Sequence, residues 1–322
     1  MSVFTPVSEQ QLIDHLSHYS VGKLLAYQGI AAGVENSNFF VTTDQGEFVL
    51  TLFEAHGVKK IHFYLGLMEH LNTAGIPTTK PVPAKQGEQI RELNARPAVF
   101  IERINGANPD TITATHCEQI AAMLGRFHLA TTCYPETMPN EFDHDWQLAC
   151  AQTLLPKLSA ADATLLQSEL AYQSDMQKQM LALPTGIIHG DLFRDNTLFI
   201  ERQKQPELSA ILDLYTACND VLLMDLAIVL NDWCFQGNGQ IDALLATALI
   251  KSYQAIRPLL ETEKALFNAV LRAAALRFWI LRLDLKYNPR ARYGEFSGND
   301  YNPDEYRQKL LTHISQNCEI II

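Results

Sequence analysis

The pattern of the chain changes at residues 105–109, where Asn, Gly, Ala, Asn and Pro interrupt any regular element. Upstream of this break, short β-rich runs dominate, and Asp44-Gln45-Gly46 between two of them predicts a hairpin turn. Downstream, apolar residues recur mostly at helical spacing. The pattern therefore predicts an α+β protein with a small β-rich N-terminal lobe at 1–102 and a large, mostly helical C-terminal lobe at 103–322.

Individual elements follow from the spacing of apolar residues and from turn residues. The predicted helices are 8–18, 59–74, 113–131, 146–154, 160–182, 222–236, 240–256, 262–287 and 303–316. The predicted strands are 23–28, 38–43, 47–53 and 98–101, with strand or loop at 81–85 and 88–93. Within the helical lobe, 186–215 is the exception, because two short strands are predicted at 197–200 and 208–212. The segment 288–302 is predicted to be an exposed loop.

Composition and charge exclude several classes of partner. A net charge of −11 argues against nucleic acid and against an anionic membrane surface. The apolar run at 221–230 contains Asp225 and is too short to span a bilayer. The first residues lack the pattern of a signal peptide, and the six cysteines form no C-x-x-C pair typical of zinc sites. We expect a cytoplasmic protein with no nucleic-acid or membrane partner, and the sequence leaves its oligomeric state open.

The segment most informative about function is 189–213. It opens with His-Gly-Asp at 189–191, and Asn196 lies five residues after Asp191. Asp213 ends the second predicted strand, 17 residues after Asn196. If the two strands pair as a hairpin, Asn196 and Asp213 lie side by side. The hairpin would thus bring an amide oxygen and a carboxylate together close to Asp191.

This arrangement suits phosphoryl transfer from ATP. Mg²⁺ prefers hard oxygen ligands, which Asn196 and Asp213 supply, and it keeps substrate phosphates in its coordination shell. Asp191 would accept the proton of the acceptor hydroxyl and orient its attack, as the catalytic-loop aspartate of protein kinases does. Taken singly, each residue also fits an ordinary turn, as an N-cap, an Asx-turn or a solvated strand end. Their joint spacing favours an ATP- and Mg²⁺-dependent kinase with a protein-kinase-like two-lobe fold.

Three neighbouring residues have less specific patterns. His189, which precedes a glycine, is predicted to hold the loop through a backbone hydrogen bond rather than to transfer protons. Arg194 fits either a phosphate contact or a partner for Asp195. Asp225 fits either a helix N-cap or a buried carboxylate that braces the catalytic loop.

The candidate phosphate-binding segment is the glycine-containing loop at 29–38. Its glycines, including Gly33, would let backbone N–H groups approach phosphate oxygens. Asn36, Ser37 and Asn38 would add side-chain donors. A plain hairpin loop is the commoner explanation for such a segment, but its place at the front of the β-rich lobe favours contact with ATP.

Two further positions concern the nucleotide. Backbone groups around Glu102 fit the place that meets the adenine base, although an ordinary linker strand explains them equally well. Thr51 stands where kinases usually carry the lysine that pairs with the phosphates. Lys59 and Lys60 fit either a replacement for that lysine or a solvated helix start. The contacts with the α- and β-phosphates are therefore open, whereas the metal and base residues are unaffected.

The residues at 189–215, His-Gly-Asp-Leu-Phe-Arg-Asp-Asn followed by Asp-Leu-Tyr, resemble the aminoglycoside-phosphotransferase and choline-kinase group. More narrowly, segments spread over nearly the whole chain resemble the bacterial homoserine kinases of that group; they are 29–31, 35–41, 48–54, 231–234 and 277–282. In that family Thr also replaces the lysine, which agrees with Thr51, whereas Leu214 stands where Phe is common. The resemblance implies ATP, Mg²⁺ and transfer of the γ-phosphoryl group to the hydroxyl of L-homoserine, in threonine biosynthesis.

Homoserine is a zwitterion, so its site needs a basic group for the carboxylate and a carboxylate or amide for the ammonium. The candidate substrate-binding residues are Arg277, Arg282, Asn231, Asp232 and Trp233, with Asp220 as a further candidate for the ammonium. The two arginines lie five residues apart and project in different directions on a helix. One of them is therefore expected to bind the carboxylate, and the other to reach solvent or to pair with Asp284. Trp233 fits a pocket wall, but a helix-core position is the commoner explanation.

Two alternatives to a homoserine kinase stay open. Another small alcohol such as choline, an aminoglycoside or methylthioribose would use the same transfer chemistry; choline would call for an aromatic cage and an aminoglycoside for a broad acidic groove. The second alternative is a non-catalytic nucleotide-binding pseudokinase, prompted by Thr51. The intact Asp191, Asn196 and Asp213 argue against it.

Overall fold

The computed structural model describes residues 3–30, 36–237, 239–288 and 302–316. Gly33 and nearly all of the loop predicted at 288–302 lie outside these described residues. The described chain forms two compact units, one reaching to Asn105 and one beginning at Gly106. The first unit is built on a sheet and the second mostly on helices.

The described part of the N-terminal unit is built on an antiparallel sheet with the order β1-β2-β3-β6-β4, and β5 pairs with β6. Its strands are β1 (Leu24–Gly29), β2 (Asn36–Thr43), β3 (Gly46–Phe53), β4 (Pro81–Val82), β5 (Arg91–Leu93) and β6 (Arg96–Glu102). Thr43 pairs with Gly46, which confirms the predicted hairpin between β2 and β3. Asn94 and Ala95 join β5 to β6 with φ values of 52° and 58°, typical of a type I′ turn.

Two helices complete this unit. Helix α1 (Glu9–Leu16) begins after Ser8, whose hydroxyl accepts the N–H of the residue three positions later. Leu12 of α1 joins an apolar cluster with Leu50 of β3, and both are fully buried. Helix α2 (Val58–Thr73) buries residues at helical spacing on one face, which are Ile61, Leu65, Met68 and Leu71.

The C-terminal unit carries the other elements. Its helices are α3 (Ala114–Thr131), α4 (His144–Leu154), α5 (Ala160–Met180), α6 (Leu222–Trp233), α7 (Ala243–Ile256), α8 (Glu261–Tyr287) and α9 (Pro303–Ser315). Its strands are β7 (Thr185–Ile188), β8 (Thr197–Arg202), β9 (Gln205–Ile211) and β10 (Cys218–Val221). Helix α8 contacts α4, α5, α6 and α9, so it lies at the centre of the helical packing. Among the described residues, no helix is both long and apolar enough to cross a membrane.

The predicted helices are confirmed, with ends that agree to within three residues. The predicted hairpin of β8 and β9 is also confirmed. Strand β10 was not predicted, because the polar residues Asn219 and Asp220 occupy two of its four positions and such residues are uncommon in strands. Its pairing with β7 depends on tertiary structure, and this pairing positions the candidate active site.

Candidate active site

A short antiparallel ladder positions the His-Gly-Asp segment at 189–191. Ile188, the last residue of β7, pairs with Cys218 of β10, and the segment follows directly. Gly190 has a φ of +80°, which residues with a side chain rarely adopt. A Cβ here would lie 2.9 Å from the carbonyl oxygen of Thr216. The turn into the aspartate therefore requires glycine at this position.

The carboxylate of Asp225 binds the backbone of this segment. Its Oδ2 accepts the N–H of His189 at 2.7 Å, and its Oδ1 accepts the N–H of Gly190 at 2.8 Å. Helix α6 begins at Leu222, so Asp225 lies within its first turn rather than at the N-cap, and it is fully buried. Of the two roles predicted for Asp225, the bracing role is therefore confirmed.

A buried histidine of α3 completes the surroundings of Asp225. His128 Nε2 lies 3.1 Å from Asp225 Oδ2, and His128 Nδ1 lies 2.7 Å from the hydroxyl of Tyr253. Burial alone would raise the pKa of Asp225, but the hydrogen bond and charge of His128 and the N–H of Gly190 lower it overall. Asp225 therefore stays ionised. His128 was not identified from the sequence, although a histidine on the apolar face of a helix was a signal for it.

His189 is held in one tautomer by contacts with the backbone. Its Nε2 lies 2.8 Å from the carbonyl oxygen of Leu212, so Nε2–H donates there, while Nδ1 accepts the N–H of Asp191 at 3.3 Å. Burial lowers the pKa of His189, and the charge of Asp225 offsets this only in part. The ring is therefore neutral and supports the loop, as predicted.

The β8–β9 hairpin brings two predicted site residues to the same place. Thr197 pairs with Ile211, and the N–H of Leu212 donates to the carbonyl oxygen of Asn196 at 2.8 Å. Asp213 follows Leu212 directly. Asn196 and Asp213 thus lie at the same end of the hairpin, in agreement with the register that the sequence suggested.

The side chain of Asn196 has a defined orientation. Its Nδ2 donates to the backbone oxygen of Asp191 at 2.7 Å and lies 3.2 Å from Asp191 Oδ2. Because the amide is planar, Oδ1 of Asn196 is turned away from these contacts. The asparagine therefore contacts the catalytic loop with its donor and presents an acceptor on its other side.

Asp213 is exposed and adopts a left-handed conformation with φ 56° and ψ 63°. Its Oδ1 accepts the N–H of Tyr215 at 3.3 Å, which fixes the carboxylate over a short 3₁₀ turn at 214–216. Together, Asp213 and the outward oxygen of Asn196 provide hard oxygen donors of the kind that Mg²⁺ prefers. The donor set of the described site thus fits a magnesium ion.

Two predicted substrate residues instead contact the loop from α6. Asp232 accepts the backbone N–H of Arg194 at 2.8 Å and its Nε at 3.2 Å. Trp233 is buried and donates its indole N–H to the carbonyl oxygen of Leu192 at 3.2 Å. Arg194 was predicted to contact phosphate or Asp195, and the partner that the structure gives it is Asp232. The reason is tertiary, since the end of α6 packs beside the 3₁₀ turn at 194–196.

Asn231 and Arg282 lie in contacts between helices. The buried Asn231 donates to the carbonyl oxygen of Leu271 at 3.1 Å, and its Oδ1 lies 2.6 Å from His313 Nε2. Arg282 donates to the carboxylate of Glu305 at 2.5 Å. These side chains join α6 and α8 to their neighbours within the C-terminal unit.

Arg277 differs from every other predicted substrate residue. It is 2% exposed, and its Nε and Nη1 have no hydrogen-bond partner among the described residues. Its Nη2 lies 3.7 Å from the point where a Cβ of Gly190 would stand. A buried cation therefore lies directly behind the catalytic loop.

The predicted nucleotide residues belong to the N-terminal unit. Ser37 is fully buried; its hydroxyl donates to Glu54 at 2.7 Å and accepts the N–H groups of Phe4 and Thr5, each at 2.9 Å. Asn36 carries a buried Oδ1 without a partner among the described residues. Ser37 thus binds the N-terminal segment to the strand that follows the glycine-containing loop.

Thr51, which stands where kinases usually carry a lysine, also has a hydrogen-bond partner within the sheet. The hydroxyl of Thr51 donates to Asn38 Oδ1 at 2.7 Å, across the β2–β3 ladder. At the end of β6, the N–H of Glu102 donates to the carbonyl oxygen of Lys80 at 2.9 Å. A contact between adenine and the segment around Glu102 would therefore use other backbone groups.

Residues 26–259 match the model of the phosphotransferase enzyme family. Over 297 residues, the chain is 42% identical to a homoserine kinase of Cupriavidus pinatubonensis, covering 90% of each chain. A homoserine kinase of Methylobacillus flagellatus is 39% identical over 313 residues, which are 97% of this chain and 95% of the relative. This chain belongs to the homoserine kinases of the phosphotransferase enzyme family. This confirms the resemblance that residues 189–215 indicated for the wider group and that segments over nearly the whole chain indicated for the homoserine kinases.

Solved structures support the same fold at low sequence identity. An amicoumacin kinase in complex with AMP-PNP, Ca²⁺ and Ami is similar with a TM-score of 0.71 and 15% identity, covering 96% of this chain and 93% of that one. An aminoglycoside phosphotransferase from Alicyclobacillus acidocaldarius gives a TM-score of 0.68 at 15% identity, covering 98% and 97%. The protein-kinase-like fold predicted for this family member is therefore confirmed.

Proposed function

We propose that this chain transfers the γ-phosphoryl group of ATP to the side-chain hydroxyl of L-homoserine and so forms O-phospho-L-homoserine. The observation that carries the proposal is the joint placement of Asp191, Asn196 and Asp213 by the loop and the β8–β9 hairpin. The substrate follows from the homoserine kinases that resemble the chain over nearly its full length. Such an enzyme would act in threonine biosynthesis in the cytoplasm, without a nucleic-acid or membrane partner.

Asp191 is the proposed catalytic base. The loop is fixed by Asp225 and His189, so the Asp191 carboxylate is positioned before substrate binds. It would accept the proton of the homoserine hydroxyl while the oxygen attacks the γ-phosphorus. The hydroxyl oxygen then gains the phosphoryl group, and ADP leaves.

Asn196 and Asp213 would hold Mg²⁺. When bound, the ion supplies positive charge that offsets the charge of the phosphate oxygens. The Nδ2 donor of Asn196 is already bound to the backbone of Asp191, so its Oδ1 is the atom that would hold the ion. Asp213 contributes an exposed carboxylate that reaches the same end of the hairpin.

The N-terminal lobe at 1–102 is the proposed nucleotide-binding part, and 103–322 the catalytic and substrate-binding part. Asn36 and Asn38 flank the glycine-containing loop as candidate phosphate contacts, with Gly33 of that loop outside the described residues. Ser37 would act through the position of the loop, because its hydroxyl is already used by Glu54 and by the N-terminal backbone.

The proposal is tested by measuring ADP release with L-homoserine, choline, an aminoglycoside and methylthioribose under identical conditions. L-homoserine should give a kcat/KM roughly 10²-fold or more above the other alcohols. Brisk turnover of another alcohol without turnover of homoserine would exclude the proposed substrate.

Asp191→Asn tests the role of Asp191 as the base, independently of which alcohol is the acceptor. The variant should lose roughly 10²–10⁴ in kcat, because the amide cannot accept the hydroxyl proton, while ATP affinity stays nearly unchanged. Asp175→Asn, at an exposed position of α5, is the matched control and should keep full activity. Equal activity of Asp191→Asn and the native chain would remove Asp191 from the mechanism, and an inactive native chain that still binds ATP would indicate a pseudokinase.

A further inference from the structure

Arg277 carries a buried charge that the described residues do not satisfy. The residue is 2% exposed, and neither Nε nor Nη1 of its guanidinium has a hydrogen-bond partner among those residues. The rings of Phe142 and Phe278 lie 5.0 and 5.2 Å from its central carbon. Cation–π contacts stabilise the charge, but they leave the N–H donors unsatisfied.

Burial without hydrogen-bond partners is energetically unfavourable for a charged guanidinium group. A buried charge that loses its hydration is destabilised unless an anion or hydrogen-bond acceptors replace the water. The other arginines of α8 illustrate the ordinary solution, since Arg272 pairs with Glu169 and Arg282 with Glu305. Arg277 is therefore suited to bind an anionic group of a ligand.

The position of Arg277 limits what that ligand is. Its Nη2 lies 3.7 Å from the Cβ site of Gly190, the residue before the catalytic base. With bonds of about 1.5 Å, the hydroxyl oxygen of extended homoserine lies about 5 Å from its carboxylate carbon. Gly190 and Asp191 are adjacent in the chain, with Cα atoms about 3.8 Å apart, so an acceptor of this length suits a carboxylate held beside Gly190 and a hydroxyl held by Asp191.

Asp220, a carboxylate close to Arg277, carries the charge opposite to the ammonium group of an amino acid. Asp220 of β10 accepts Asn140 Nδ2 at 2.6 Å and the N–H of Val221 at 2.7 Å. Burial raises the pKa of Asp220, while the Val221 N–H, the charge of Arg277 and the Asn140 amide lower it in part. An ammonium group would join these partners and keep Asp220 ionised. A polyphosphate would instead be repelled by Asp220.

We propose that Arg277 binds the α-carboxylate of the acceptor through paired N–H donors, with Asp220 facing its ammonium, so that this site selects α-amino acids. The inference rests on the proposed function and names the group that determines its specificity. Choline, methylthioribose and aminoglycosides carry no carboxylate, so none of them would satisfy Arg277.

The test compares two acceptors that differ only in the carboxylate, L-homoserine and 3-aminopropan-1-ol. Arg277→Met should lower kcat/KM for homoserine by roughly 10²-fold or more, because two charge-assisted hydrogen bonds are lost. For 3-aminopropan-1-ol the same variant should change kcat/KM less than about threefold, because this acceptor never uses the guanidinium. If its turnover is too slow to measure, its inhibition constant against homoserine is compared instead. Arg277→Lys should recover only part of the homoserine activity, since lysine lacks the planar fork.

Stability in the absence of substrate gives a second readout. Arg277→Met removes two buried N–H donors that have no partner among the described residues, so the melting temperature of the ligand-free protein should stay unchanged or rise. Arg307→Met, which breaks the half-buried pair between Arg307 of α9 and Asp162 of α5, is the control and should affect both acceptors equally.

Three outcomes would overturn the assignment of Arg277. Equal loss for both acceptors together with a lower melting temperature would make Arg277 a structural counter-charge of Asp220. A raised KM for ATP with equal loss for both acceptors would indicate a phosphate contact. Native protein that does not phosphorylate homoserine at all would refute the proposed function itself and the inference with it.

Discussion

The side-chain amide of Asn196 donates a hydrogen bond of 2.7 Å to the backbone carbonyl of Asp191, the proposed base. One residue thereby links the proposed metal site to the proposed catalytic loop, because the opposite side of the same amide carries the oxygen that would bind Mg²⁺. The two functions of Asn196 can be separated by substitution.

Asn196→Ala removes both the oxygen and the N–H donor. We expect kcat to fall at least roughly 10–100-fold and the Mg²⁺ concentration for half-maximal activity to rise at least tenfold. Asn196→Asp keeps an oxygen for the ion but cannot donate to Asp191, so kcat should fall while the Mg²⁺ requirement changes little. Titrating activity against Mg²⁺ at saturating ATP distinguishes these effects. An unchanged Mg²⁺ requirement in Asn196→Ala would show that Asn196 is not a metal ligand.

Ser37→Ala tests how the N-terminal segment supports the nucleotide loop. The buried hydroxyl of Ser37 accepts the N–H groups of Phe4 and Thr5 and donates to the carboxylate of Glu54. Its removal therefore breaks all three hydrogen bonds. We expect the variant to lose about 1–3 kcal/mol of unfolding free energy and to show a severalfold higher KM for ATP at unchanged KM for homoserine. Denaturant unfolding and steady-state kinetics measure the two effects.

Hydrogen exchange at Phe4 and Thr5 locates the change, since both amides should exchange faster in Ser37→Ala. Ser17→Ala is the matched control, because its exposed hydroxyl only donates to a helix carbonyl of α1. Unchanged exchange at both amides would show that Ser37 does not hold the segment.

Because His313 is buried, we expect the folded protein to lose stability in acid. Burial, supported by the charges of Arg272 and Lys309, lowers its pKa to about 3, against about 6.5 in the unfolded chain. Between these values only the unfolded chain binds the proton, so stability is full above pH about 6.5 and falls as the pH decreases towards 3. The contribution lost between pH 7.5 and 5.5 is about 1.4 kcal/mol.

His313→Gln removes this titration and keeps a donor for Asn231 Oδ1, which His313 Nε2 approaches to 2.6 Å. Urea unfolding at both pH values should show the native chain losing about 1.4 kcal/mol more than the variant. Parallel pH profiles of the two proteins would show that His313 is protonated in the folded state as readily as in the unfolded chain.

Much of the fold could be predicted because the relevant signals are local. Helical spacing identifies α8 over its whole length, and turn residues separate β8 from β9. The same local signals place Asn196 and Asp213 at matching ends of a hairpin. The shared position of these two residues was predictable, because hairpin register alone determines which residues lie at the same end.

The partners of individual polar residues could not be predicted in this way. Arg194 meets Asp232, and His128 meets Asp225, across 38 and 97 residues of sequence. Such pairs depend on how the helices pack against each other. The spacing of apolar residues predicts which face of a helix is buried, but it does not predict which residue of another element lies against that face.

The sequence by itself predicted that Asp191, Asn196 and Asp213 lie together, because they belong to one loop and one hairpin whose geometry is local. It did not distinguish Arg277 from Arg282, which occupy the same helix and differ by five positions. Tertiary structure decided between their surroundings: Arg282 meets Glu305 of α9, whereas Arg277 is buried behind Gly190 with two donors unsatisfied. The physical reason is that charge pairing in a folded protein depends on which helices pack together and which groups lose water.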